Sequence, residues 1–112
     1  MKTLQLLENP EFNDSHPVAK SIIADEYARV LLFTLKPGQE IKQHSNQASP
    51  VYVTVLKGKG HFITSDGNTE IAGPGSMIIF DAAEEHSVKA ADGELIFTAL
   101  LHGSPRSHSH TD

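Results

Sequence analysis

Apolar residues recur at every second position along most of this chain, in short runs cut by glycine, proline, asparagine and aspartate, and no other feature constrains the fold as much. Alternation puts every second side chain on one face of an extended strand, so each run reads as a half-buried strand and each interruption as a turn. The clearest runs are Arg29 to Leu35, Val51 to Leu56, His61 to Thr64, Ser76 to Phe80, His86 to Ala90 and Glu94 to Leu101, with weaker ones near Thr3 to Leu7 and Val18 to Ile23. Lys36-Pro37-Gly38, Lys57-Gly58-Lys59-Gly60, Ser65-Asp66-Gly67-Asn68, Gly73-Pro74-Gly75 and Ala91-Asp92-Gly93 supply the positive or fixed φ that turns need. Turns every 8 to 12 residues or so predict an all-β sandwich or barrel. No amphipathic stretch reaches helix length, Asn13 to Ala19 holds one helical turn at most, and there is no solenoid repeat.

A chain of 112 residues suits one domain with one core. The absence of cysteine excludes disulfide scaffolds, thiol nucleophiles and Cys-based zinc sites, so any transition-metal site must draw on histidine, carboxylate or amide ligands. Nine Lys plus Arg against fourteen Asp plus Glu give a net charge of −5, and the basic residues are scattered, which argues against nucleic acid as a partner. No apolar run approaches the roughly 20 residues that cross a bilayer. Glu8 and Pro10 interrupt the stretch where a secretory core would continue, so a cytoplasmic protein with no membrane partner is expected.

Seven histidines are the compositional oddity. On a strand, residues i and i+2 project from one face, so His-x-His sets two imidazoles side by side for a metal ion; His44-Ser45-Asn46 has that spacing with an amide in second place. Further ligands must come from neighbouring strands, and His86 is the natural distant candidate. In HSVKA, His86, Val88 and Ala90 share one face, which points the ring with the apolar side. His61 is expected to face solvent, His16 to be exposed, and His108-Ser109-His110 to belong to a polar tail. Glu84 and Glu85 adjoin His86, within reach of a proton-carrying role at the mouth of a site.

Two segments resemble the motifs of the cupin family. Gly38, five residues, His44-Ser45-Asn46, four residues, Val51, six residues and Gly58 resemble the first motif, in which a glycine, His-x-His, a glutamate and a glycine recur at this spacing. Gly75, five residues, Asp81-Ala82-Ala83, two residues and His86 resemble the second, in which Pro-x-Gly precedes the histidine. The segment between the motifs, Lys59 to Pro74, has the short length of compact single-domain cupins, and the resemblance extends over roughly Val30 to Leu101. It implies a double-stranded β-helix, the jelly-roll barrel of two packed sheets, commonly dimeric. The implied organisation is an N-terminal arm with strands over 1–28, a cupin barrel over 29–103 and a polar histidine-containing tail over 104–112.

Of the four places where cupins usually carry metal ligands, His44 and His86 are kept, Asn46 replaces the second histidine, and Val51 replaces the glutamate. Valine coordinates nothing, and Asn46 offers only a neutral carbonyl oxygen, so a tight four-ligand site for Fe, Mn, Ni or Zn is not expected. If Val51 takes the inward place of the glutamate, Val51, Val53 and Val55 all line the barrel, joined by Met77 and Ile79 or by Ile78 and Phe80. The implied cavity is apolar, with His44, His86 and Asn46 or Gln43 as its polar groups.

The reading that follows is a small-molecule binding protein with weak or no metal, its pocket built on His44, Asn46, Val51, Val53 and His86. The alternative is a metal-dependent cupin enzyme of the dioxygenase or isomerase type, with His44, His86 and Asn46 on one divalent ion. A carbohydrate ligand is disfavoured, since the chain has two tyrosines and no tryptophan to make a platform. Both faces of Arg29 to Leu35 and of Glu94 to Leu101 are apolar and need cover, so a homodimer is expected.

Overall fold

The computed structural model describes residues 1–44 and 49–102, with residues 43 and 44 described as backbone only. The described residues form nine strands: β1 (Val18–Ala24), β2 (Ala28–Leu35), β3 (Glu40–His44), β4 (Val51–Lys57), β5 (Gly60–Thr64), β6 (Thr69–Ala72), β7 (Met77–Phe80), β8 (His86–Ala90) and β9 (Leu95–His102). They make two antiparallel sheets, ordered β1-β2-β9-β4-β7 and β3-β8-β5-β6. The chain changes sheet at most connections, which winds the two sheets into a double-stranded β-helix.

All six clear runs of alternation are strands, and so is the weaker run that becomes β1. Thr3 to Leu7 is not a strand; it belongs to an arm that precedes β1. Asn13 to Ala19 forms no helical turn, because the Asn13 side chain accepts from the Ser15 N–H at 2.8 Å and the chain goes directly into β1. Alternation did not reveal β3 or β6. Both are edge strands of the smaller sheet and are rich in polar and charged residues (EIKQH and TEIA), as an edge open to solvent requires.

The core lies between the sheets. Phe97 on β9 stacks on Phe33 of β2 with centroids 4.9 Å apart and meets Phe62 of β5 edge-on at 5.9 Å, so one ring ties the two sheets together. Leu35 and Leu95, paired across β2 and β9, are wholly buried beside it. At the β4–β5 turn, Gly58 has φ +77°, and a Cβ there would lie 1.9 Å from the carbonyl oxygen of Glu94. Only glycine lets this turn press against the β8–β9 connection.

The arm lies on the outer face of β2. Thr34 Oγ1 donates to the Glu11 carbonyl, Gln39 Nε2 donates to the Asn13 carbonyl at 2.7 Å, and Lys36 pairs with Asp14. The outer face around Leu32 and Thr34, both buried, is therefore covered by the chain's own N-terminus, not left for a second copy. Among the described residues no helix is long and apolar enough to cross a membrane.

Candidate functional site

His86 opens β8 and is 3% exposed. The strand alternates as its sequence predicts, with His86, Val88 and Ala90 turned into the barrel. The imidazole Nδ1–H donates to the Glu84 carbonyl at 3.0 Å, and the ring lies parallel to Phe80 with centroids 3.9 Å apart. With Nδ1 as donor, Nε2 is the ring atom through which His86 meets its other surroundings.

His44 ends β3 directly opposite His86 in the backbone register. Ile41 pairs with Val88 and His44 with His86, so three steps along β3 span two along β8; a bulge takes up the extra residue and brings the two histidine positions into one row. The side chains of His44 and Gln43, and all of Asn46, lie outside the described residues, as do His108 and His110.

On β4, Val51, Val53 and Val55 are buried on one face, as expected. Val51 and Val53 line a cavity, whereas Val55 lies beyond it in the core. Of the two pairs offered by β7, Ile78 and Phe80 turn inward, and Met77 and Ile79 are 61% and 56% exposed on the outer face. The cavity holds about 180 Å3. Its walls are Leu31 and Phe33 from β2, Phe97, Ala99 and Leu101 from β9, Ile41 from β3, Val88 from β8 and Phe80. Its polar groups among the described residues are His86 and Arg29.

Arg29 was not among the sequence candidates. Its signal was present in the alternation of RVLLFTL, which puts Arg29 on the same face as Leu31 and Phe33. Glu84, by contrast, faces the loop it belongs to, its Oε1 accepting from the Asp81 N–H at 3.0 Å, and neither Glu84 nor Glu85 lines the cavity. His61 is half-buried on the face opposite buried Phe62, and His16 is exposed. A larger hollow, about 250 Å3, lies outside the barrel beneath the arm, and none of the sequence candidates lines it.

Metal chemistry needs converging donors. Among the described residues no three His, Asp or Glu side chains converge, and the place of the family glutamate is filled by an isopropyl group in the cavity wall. Among the described residues His86 is the one strong donor lining the cavity, and the other two proposed ligands, the His44 side chain and Asn46, lie outside them.

The Cupin_2 family model, described as "Cupin domain", matches residues 31–102. The chain belongs to the cupin family. Among solved structures, this cupin resembles an RmlC-like cupin protein from Desulfovibrio desulfuricans at 26% identity and TM-score 0.82, over 90% of this chain and 96% of the other. An uncharacterised conserved protein with a double-stranded β-helix domain from Klebsiella pneumoniae is 17% identical with TM-score 0.84, covering 91% and 90% of the two chains. TT1209 from Thermus thermophilus is 18% identical with TM-score 0.84, covering 92% and 98%. These likenesses establish the fold. No curated protein matches this cupin.

Proposed function

We propose that this cupin binds a small organic molecule in its barrel cavity, with weak or no metal. The observation that carries the reading is the pairing of buried His86 with Val51 in the wall of one cavity: a polar anchor is kept where the family carboxylate is replaced by an aliphatic group. A pocket with mostly apolar walls and few polar groups is the usual form of a small-molecule site. A cavity of about 180 Å3 is comparable with apolar protein cavities of about 150 Å3 that admit benzene. Benzene titration followed by methyl NMR tests this. Saturable shifts at Val51 and Val53 are expected, and their absence up to the solubility of benzene would refute the reading.

We also propose a homodimer formed through the outer face of the larger sheet. Register aligns Ile79, Tyr52, Leu100, Val30 and Ile23 in one row across β7, β4, β9, β2 and β1. All five are on the outer face and at least partly exposed, with Leu100 at 40% near the centre. A second copy placed about a twofold axis would present the same row to this one.

A further inference from the structure

We infer that the cavity takes a small monocarboxylate, its charged end on Arg29 and its apolar body against the valines and phenylalanines within. The inference rests on the cavity reading above and adds the class of ligand. Arg29 stands second in β2, paired with Leu101 of β9, one strand alternation before Leu31; it is exposed while lining the cavity, which puts the guanidinium at the mouth.

Among the described residues the guanidinium has no hydrogen-bond or ion-pair partner. The ion pairs among the described residues are Lys36 with Asp14 and Lys57 with Glu94. Of the two acids in the adjoining β1–β2 turn, Asp25 uses Oδ1 to accept from the backbone N–H groups of Tyr27 and Ala28, and Glu26 makes no ion pair among the described residues. A cation that is unpaired among the described residues, at the entrance of an apolar cavity, favours an anionic ligand end.

A planar carboxylate matches the two-pronged guanidinium. A phosphate ester would bring a second negative charge, and among the described residues no other Lys or Arg side chain lines the cavity to meet it. The volume sets the body at about the size of a benzene ring or a short alkyl chain.

The test uses the full chain and pairs each acid with its neutral amide: benzoate with benzamide and hexanoate with hexanamide, by NMR titration in low salt. Each acid is expected to bind about tenfold more tightly than its amide, the scale of one charge-assisted bidentate contact at a solvated site. In Arg29→Gln the preference should fall to about twofold or less, and Arg29→Lys should keep part of it. Equal affinity for acid and amide in the native chain, or an undiminished preference in Arg29→Gln, would overturn the inference. If benzene saturates the cavity while acids show no preference, only the carboxylate assignment fails; if benzene does not bind, the cavity reading itself fails.

Discussion

Phe80 and His86 face each other as parallel rings, centroids 3.9 Å apart and planes 8° apart. Phe80 ends β7 in the larger sheet and His86 opens β8 in the smaller, so the stack joins the two sheets where the chain passes between them. The connecting loop is held by Asp81 N–H to Glu84 Oε1, Glu84 N–H to the Asp81 carbonyl, and the His86 ring to the Glu84 carbonyl. Phe80→Ala should cost about 3–5 kcal/mol, the range for removing a buried aromatic ring. Urea unfolding gives the cost, and the His86 ring signals should broaden in the folded variant.

The same loop contains Ala83 at φ +68°, a left-handed conformation that strains an L side chain. This is the place where the cupin motif has glycine. Ala83→Gly should therefore raise stability by about 0.5–1 kcal/mol, because relief of the strain exceeds the added freedom of glycine in the unfolded chain. A lowered unfolding midpoint in the variant would contradict this.

Acid sensitivity should arise in part at the β5–β6 turn. The hydroxyl of Thr64 and then the backbone N–H of Asn68 hold the Asp66 carboxyl below its ordinary value of 3.8. A depressed folded-state value means that the unfolded chain binds protons more readily, so this contribution is present above about pH 4 and is lost as pH falls through the folded value. Asp66→Ala should be less stable than the native chain at pH 7, and the difference should vanish by about pH 2. Unfolding curves at the two pH values check it.

Most of the barrel was legible because a strand with one face buried must alternate, as β4 and β8 do, and because β2 and β9, apolar on both faces, are short runs bounded by turn residues. The edge strands β3 and β6 were not, since solvent on their free side lets polar residues replace the pattern. The cavity lining was legible where alternation and motif spacing coincide, at Val51, Val53 and His86. Arg29 was missed because a charged residue at the start of an apolar run reads as a strand end, and only the closing of the two sheets shows that its face is the inner one. The bulge in β3 was equally hidden, because pairing register depends on the partner strand.

In solution the mass should be twice the 12.2 kDa of one chain by light scattering at micromolar concentration. Leu100→Asp, near the centre of the outer apolar row, should halve it by placing like charges opposite one another across the twofold axis. A native chain that is monodisperse at the single-chain mass would exclude the dimer.

Metal content per chain, measured on protein purified without a metal column and ended at Ser104 so that His108 and His110 do not contribute, tests the account at its centre. After dialysis against a mild chelator the protein should retain well below one transition metal per chain, because the carboxylate position is Val51. Asn46→His combined with Val51→Glu should retain close to one. Retention of one metal per chain by the unaltered barrel would contradict the account and favour a metal-dependent enzyme.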